Sequence, residues 1–248
     1  MTEIEESLQP LEDDPVLGAA IANYPSNRAR LLLTGGVILG VAYLILAIAL
    51  LNVEERLAFG ITVVVMGIVT IAVGWYMAHL WNREVVLYDK GFSYREGSFI
   101  AYIPYADILA MRQLAERRAY FGGLLRRNVY RYTLTTLQDE TIVLGNVYRN
   151  IDELGVRLER AVNEALRRVM ERALAAGKTV PFSATLEVGR DGLHEGERLL
   201  KWSDFGGYKI ERGSLDLLAK PDNTVWYSLP LGEIDNVTLL LGALKEKS

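Results

Sequence analysis

The stretch that decides the fold is residues 31–81, where two apolar runs follow each other closely. They read LLLTGGVILGVAYLILAIALL (31–51) and LAFGITVVVMGIVTIAVGWYMAHLW (57–81), joined by NVEER (52–56). Neither run contains Asp, Glu, Lys or Arg. At roughly 1.5 Å per residue, a helix of either length crosses a hydrocarbon core of about 30 Å. Because peptide groups inside lipid need internal partners, the runs predict a transmembrane helical hairpin.

The charges beside the hairpin predict which side of the membrane the rest of the chain occupies. Arg28, Arg30 and Arg83 lie next to its outer ends, whereas the NVEER loop has one Arg beside two Glu. Lys and Arg collect on the cytoplasmic side of membrane proteins. We therefore expect a multi-pass protein of the cytoplasmic membrane, with both termini and the soluble modules in the cytoplasm.

The composition excludes several functional classes. The chain has no cysteine, which removes disulfides, thiolate nucleophiles and Cys-based zinc sites. Residues 82–248 carry 24 basic and 23 acidic side chains, without the basic excess of a nucleic-acid-binding protein. His79 and His194 are the only histidines, and no GxSxG, HExxH or Walker A motif occurs. We expect no enzymatic activity, no catalytic residue, no metal, no cofactor and no nucleic-acid partner.

Residues 1–30, before the hairpin, are predicted to be an acidic and flexible tail. They carry six acidic residues against two arginines, with few large apolar residues before Val16. A segment of this composition cannot bury enough apolar surface to form a core. The only element expected in it is a short helical piece at 16–22.

The soluble part contains an internal repeat. The segment LQDETIVLGNVYRNIDEL (137–154) aligns without gaps on KPDNTVWYSLPLGEIDNV (220–237). In each copy, alternating strands are followed by a helix with an apolar stripe. We predict a first module at 82–178 and a second, shorter module at 179–248.

The segment LYDKGFSYREGSFIAYIPYADI (87–108) resembles the opening of bacterial pleckstrin-homology-like (PH-like) modules. In those modules a D-G-aromatic turn and a W-x-[DE]-I corner recur. Tyr105 takes the Trp position of the corner in the first copy, and Trp202 takes it in the second, where Phe205 replaces Ile. The whole chain resembles an uncharacterised bacterial membrane family with PH-like modules. The resemblance implies an α+β fold, in which the transmembrane two-helix hairpin is followed by two tandem PH-like modules. Each would be an antiparallel barrel or roll closed by a C-terminal helix.

One loop of the first module is the predicted contact site. Residues 109–131 carry six arginines and one acid, and two arginine pairs flank an apolar tip that contains two glycines. Such a loop suits anionic lipid headgroups, an acidic protein partner or plain solvent, and the sequence leaves these three alternatives open. The predicted contact residues are Arg117, Arg118, Phe121, Leu124, Arg126 and Arg127.

Glycines in the hairpin are predicted to mediate helix packing. Gly36 and Gly40 form a GxxxG pair in the first run, and Gly60, Gly67 and Gly74 recur every seven residues in the second. Small residues allow helix backbones to approach closely in lipid. These glycines either pack the two helices of one hairpin together or form a face for a homo-oligomer.

Taken together, these features predict a membrane-anchored, non-enzymatic adaptor or regulatory protein. Its cytoplasmic PH-like modules would bind anionic lipid headgroups or a protein partner. The alternative is a structural subunit of a membrane oligomer that assembles through the glycine-rich helix faces.

Overall fold

The computed structural model describes residues 12–51, 56–120 and 125–247, with the side chains of 56–58, 117–120 and 125–127 left out. The described helices are α1 (Arg28–Leu50), α2 (Arg56–Trp81), α3 (Ile151–Ala175) and α4 (Val237–Lys247). The strands up to α3 are β1 (Ala20–Pro25), β2 (Glu84–Tyr88), β3 (Gly91–Glu96), β4 (Phe99–Pro104), β5 (Ile108–Tyr120), β6 (Leu125–Thr136) and β7 (Thr141–Gly145). Those after α3 are β8 (Val180–Pro181), β9 (Leu186–Val188), β10 (Gly192–Glu195), β11 (Arg198–Lys201), β12 (Phe205–Glu211), β13 (Ser214–Ala219) and β14 (Thr224–Pro230). The α+β class is thereby confirmed.

The chain divides into two compact units. The first comprises Met1–Tyr102 and Val147–Arg149, and the second comprises Ile103–Asn146 and Asn150–Ser248. The module boundaries at 82–178 and 179–248 stay a prediction.

In the first unit, the helical hairpin is inserted into a β-sheet. Strands β1 to β4 form an antiparallel sheet in chain order, and α1 and α2 lie in the connection between β1 and β2. The β1–β2 register runs from Ala20 opposite Tyr88 to Pro25 opposite Glu84. The sheet therefore begins before the hairpin.

The prediction of a flexible tail through residue 30 is wrong for its second half. Residues 20–25 form β1, and the turn before it is fixed by Asp14, whose carboxylate accepts hydrogen bonds from the backbone N–H groups of Val16 and Leu17. The expected helical piece at 16–22 is also absent, since that segment is a turn followed by a strand. The acidic residues that suggested disorder include this turn residue, while Leu17 and Tyr24 are buried.

Helices α1 and α2 are long and apolar enough to cross a membrane. Each has a 23-residue candidate span, with mean hydropathy 2.5 at Arg28–Leu50 and 2.1 at Phe59–Trp81. Only 6% of the most apolar window in α1, and none of that in α2, is buried within the protein. That exposure differs from the core helix of a soluble protein, which is mostly buried.

In the second unit, two facing sheets and a helix enclose the core of the second copy. Strands β8 to β11 form one antiparallel sheet and β12 to β14 form another. Leu186 and Leu193 from the first sheet meet Leu215 and Leu217 from the second. Helix α4 adds Leu240 to the same cluster. The predicted closing helix is therefore present in this copy.

The predicted barrel, however, is not found. Among the described strands, backbone hydrogen bonds form four open sheets and no closed one. Short turns end the first meander of each copy: a 3-10 helix at Tyr105–Asp107 after β4, and a turn at residues 202–204 after β11. A separate sheet begins after each of these turns.

These two turns are built in the same way. The backbone N–H of Leu137 donates to the Asp107 carbonyl at 2.8 Å, and that of Lys220 donates to the Asp204 carbonyl at 2.8 Å. A register shift follows each turn, between Ile108 and Ala110 and between Phe205 and Gly207. Ile108 and Phe205 are both buried at this shift, so Phe205 fills the corner position that the resemblance assigns to Ile.

Helix α3 packs against β6 at a glycine. A Cβ on Gly155 would lie 1.9 Å from the ring of Tyr132, so only a residue without a side chain fits there. The helix begins after Asn150, which is left-handed at φ 52° and whose side chain makes no cap hydrogen bond.

The loop before α4 is fastened to the edge of β5. The Asn236 side chain accepts a hydrogen bond from the Met111 N–H at 2.9 Å, and its backbone N–H donates to the Met111 carbonyl at 2.8 Å. The preceding Asp235 binds the Arg112 guanidinium through two hydrogen bonds of 2.6 and 3.2 Å. These contacts join the second copy to the β5–β7 sheet.

Asn236 therefore provides a test of this connection. Both Asn236→Ala and Asn236→Gly lose the two side-chain hydrogen bonds. Because residue 236 has φ 50°, alanine also strains the backbone there, whereas glycine does not. We expect the free energy of unfolding to fall by about 2 kcal/mol for Ala and about 1 kcal/mol for Gly. Thermal unfolding of the purified protein measures both. Asn223→Gly, at φ 52° in the β13–β14 turn, is the matched control and should change little; an equal loss there would contradict the assignment.

Candidate functional site

The two ends of the helical hairpin are fastened to each other where they enter the sheet. The Ser26 backbone N–H donates to the Arg83 carbonyl at 2.9 Å, and the Ser26 hydroxyl donates to the Trp81 carbonyl at 2.6 Å. The Arg28 guanidinium lies over the Trp81 ring, 5.5 Å from its centre. The start of α1 and the end of α2 are therefore neighbours.

A polar cluster occupies this base of the hairpin. Glu96, the last residue of β3, accepts hydrogen bonds from Arg83 on one carboxylate oxygen and from the Tyr94 hydroxyl on the other. His79 Nε2, two residues before the end of α2, lies 3.1 Å from the oxygen that binds Arg83. We call these four residues, His79, Arg83, Tyr94 and Glu96, the base cluster. It joins the end of α2 to the third strand of the sheet.

Electrostatics favour the ionised form of Glu96. The hydrogen bond from Tyr94 is the largest cause that lowers the pKa of Glu96 below its ordinary 4.5, and Arg83 and His79 act in the same direction against burial. Burial, followed by the neighbouring carboxylate, raises the pKa of Tyr94 to about 12. The cluster is therefore a carboxylate surrounded by donors at neutral pH.

Tyr148 lies near the base cluster but contributes no hydrogen bond to it. Its side chain is buried, and its hydroxyl has no hydrogen-bond partner among the residues that the structure describes. Burial raises the pKa of Tyr148 well above its ordinary value, and nearby Tyr94 and Glu96 raise it further. Tyr148 therefore contributes to this region through the packing of its ring, and its hydroxyl makes no described hydrogen bond.

The chemistry of the base cluster is that of attachment. The Glu96 carboxylate is engaged by Arg83, Tyr94 and His79, and it thereby joins the end of α2 to β3. In the described ranges, no group of three or more His, Asp or Glu side chains could hold a metal ion.

The predicted arginine loop lies on a long two-stranded ribbon. Strands β5 and β6 pair out to Tyr120 opposite Leu125, whereas β7 pairs with β6 only from Arg131 to Thr135. Arg117, Arg118, Arg126 and Arg127 belong to the part of the ribbon beyond β7, and the structure does not describe their side chains. Phe121 and Leu124 lie outside the described residues. The contact role of all six stays a prediction.

The five predicted glycines do not form the contact between α1 and α2. A Cβ at Gly36, Gly40, Gly60, Gly67 or Gly74 would meet nothing within 4 Å. The glycine at the contact is Gly35, where a Cβ would lie 2.0 Å from the Met77 sulfur. The intramolecular packing role is therefore wrong for these five residues; the homo-oligomer alternative stays a prediction.

The comparisons with known proteins identify a family. One family model, described as a family of unknown function (DUF6585), matches residues 1–247. The chain belongs to this family. No curated protein matches it. The membership agrees with the family-level resemblance to proteins of unknown function, whereas the PH-like modules and the bacterial source stay predictions.

Sequence reasoning missed the base cluster in this DUF6585 chain. It used Arg83 only to predict the orientation of the hairpin, and it proposed no partner for His79 or Glu96. Strand β1, at Ala20–Pro25, was missed as well, because residues 16–22 were expected to form a short helical piece.

A pair of tyrosine substitutions tests the base cluster. Tyr94→Phe removes a donor to the ionised Glu96 carboxylate and should lower the free energy of unfolding by about 1 kcal/mol. The matched control, Tyr148→Phe, removes a buried hydroxyl without a described partner and should leave stability unchanged or raise it. Thermal unfolding in detergent micelles checks both. A larger loss for Tyr148→Phe than for Tyr94→Phe would contradict this account.

Proposed function

We propose that this chain is a membrane-anchored, non-enzymatic adaptor or regulatory protein. Its PH-like modules bind anionic lipid headgroups or a protein partner at the cytoplasmic face of the cell membrane. The observation that carries the proposal is the insertion of α1 and α2 between the first two strands of a sheet. A hairpin in this position attaches the sheet to the bilayer at two backbone points, next to Ser26 and Arg83. Such an anchor raises the effective concentration of weak contacts at the surface.

The insertion also supports a two-span topology. Because β1 and β2 pair from Pro25 opposite Glu84, the chain must return to the side of the membrane from which it left. One span alone would separate these strands by the thickness of the bilayer. The cytoplasmic side follows from Arg28, Arg30 and Arg83 beside the hairpin ends.

The strand order supports the PH-like part of the proposal. Each copy has a four-stranded meander, a short turn, a three-stranded meander and a helix, in that order. The order of strands followed by a helix agrees with the antiparallel roll closed by a C-terminal helix that the resemblance implies. Folds of this kind serve many functions, so the ligand has to come from local chemistry.

The local chemistry that favours a lipid surface is that of the arginine ribbon, the arginine-rich part of β5 and β6 with the loop between them. Residues 109–131 have a net charge of +5, from six arginines and one glutamate. Each cation beside an anionic leaflet contributes about 1 kcal/mol. The non-enzymatic part of the proposal rests on the sequence, which has no cysteine and no catalytic motif.

A second candidate function is that of a structural subunit in a membrane oligomer. The observation that favours it is the open space at Gly36, Gly40, Gly60, Gly67 and Gly74, where another helix could approach closely. In this alternative the oligomer forms through the outer faces of α1 and α2.

Single cysteines in the naturally cysteine-free chain test the anchor. In intact cells, an impermeant maleimide should label a cysteine at Asn52, in the loop between the helices. It should label one at Val16 or Ser248 only after permeabilisation. Labelling of Val16 and Ser248 from opposite sides would disprove the two-span anchor. Labelling of both Val16 and Ser248 from outside would show that the orientation is the reverse of the one proposed.

A charge reversal tests lipid binding by the arginine ribbon. A polarity-sensitive dye on Leu124→Cys should shift its emission to the blue in nanodiscs that contain anionic lipid, and salt should reverse the shift. Changing Arg117, Arg118, Arg126 and Arg127 to Glu should abolish it. The control reverses four exposed arginines on α3, at positions 160, 167, 168 and 172, and should retain the shift. Equal loss in both variants would show that net charge alone is responsible.

A further inference from the structure

The turn between β3 and β4 lies against the last turns of α2. His79 Nε2 is 3.1 Å from Glu96, and a Cβ on Gly97, in the turn, would lie 3.9 Å from His79 Nδ1. Gly97 adopts φ 63°, which lets the chain turn tightly at this point. The turn is therefore level with residue 79 of the helix.

Large apolar side chains are exposed on both sides of this contact. On α2, Trp75 is 80% exposed and Tyr76 is 63% exposed, one turn from His79. On β4, Phe99 is 63% exposed and lies two residues after Gly97. Ile100 and Tyr102 on the same strand are also exposed. Residues from a helix and from a sheet thus present apolar surface near one level of the hairpin.

The corresponding turn of the second copy provides an internal comparison. Between β10 and β11, Glu195 and Gly196 repeat Glu96 and Gly97, and Gly196 is also left-handed at φ 57°. The next residues differ: Glu197 and Arg198 stand in the second copy where Ser98 and Phe99 stand in the first. The copy without an inserted hairpin thus has a charged residue, Arg198, where the copy with the hairpin has Phe99.

The two equivalent glutamates, Glu96 and Glu195, also have different partners. Glu195 pairs within its own hairpin, with Arg198 at 3.1 Å. Glu96 instead binds His79 and Arg83 at the end of α2. The first-copy turn is therefore fastened to the helix, and the position that would carry a local arginine is occupied by Phe99.

We propose that the β3–β4 turn, with Phe99 and Ile100, lies in the headgroup layer of the membrane that α1 and α2 span. The inference rests on the proposed membrane anchor and adds a second, sheet-based contact with the same bilayer. Trp75 and Tyr76 mark the interface on the helix, since aromatic rings collect at that depth. The base cluster keeps the turn at this depth, because it joins Glu96 to the helix.

A lipid surface is favoured over a protein partner because the exposed residues of β4 are continuous with the membrane end of α2. The exposed residues of β4 follow directly from a turn that contacts α2 near its membrane end. Because that turn contacts His79, one helical turn from Trp75 and Tyr76, the proposed anchor brings the turn close to the lipid surface.

Fluorescence quenching in the full-length protein tests the depth of the turn. Single cysteines at Phe99, Leu199 and Ile71 are labelled with a polarity-sensitive dye in phosphatidylcholine nanodiscs, with or without spin-labelled lipids. Leu199, exposed on β11 and equivalent to Ile100, is the apolar control from the second copy, and Ile71, on α2, reports the anchor itself. A spin label at the headgroup should quench the dye at Phe99 at least twofold more than at Leu199. A spin label deep in the acyl chain should quench Ile71 most.

The outcomes separate this inference from the proposed anchor. Quenching at Ile71 with equal, weak quenching at Phe99 and Leu199 would overturn the inference and leave the anchor intact. Absence of quenching at Ile71 would overturn both. Glu96→Gln combined with Phe99→Cys gives a further check, because weakening the base cluster should reduce quenching at Phe99 without changing it at Ile71. If quenching at Phe99 persists unchanged, the role given to the base cluster is wrong.

Discussion

The pairing of β1 with β2 is the constraint on which the rest of the first unit depends. These strands are adjacent in the sheet, yet the whole of α1 and α2 lies between them in the sequence. For both to be satisfied, the helices must leave the sheet and return to the same edge. Ser26, hydrogen-bonded to Arg83 and Trp81, closes the base of that excursion.

The base cluster adds a second attachment between the hairpin and the sheet, and this one is made by side chains. Tyr94 and Arg83 donate to the two oxygens of Glu96, and His79 approaches one of them. A carboxylate with several donors is ionised at neutral pH and holds its partners in fixed directions. The end of α2 is thus connected to β3 as well as to β1, which distinguishes this hairpin from a tail that merely trails from a domain.

Comparison of the two copies separates what the fold requires from what the hairpin adds. Both copies share the turn hydrogen bond at Asp107 and Asp204 and the register shift that follows it, so these features belong to the fold. The exposed Phe99 after the β3–β4 turn, and the connection of that turn to α2, occur in the first copy, which is the copy that carries the helices. The differences lie at the surface next to the hairpin.

Local patterns in the sequence determined the elements of this protein. Uncharged runs longer than 20 residues gave the two helices, period-two alternation gave most strands, and the repeat gave their order. Tertiary structure decided how they combine: that β1 lies before the hairpin, that Gly35 rather than Gly36 or Gly40 approaches α2, and that Glu96 binds His79. Which strands pair, and which face of a helix contacts its neighbour, depend on residues far apart in the sequence. Local periodicity does not distinguish between these alternatives. That is why the sequence predicts the helices and strands but not the site at which they meet.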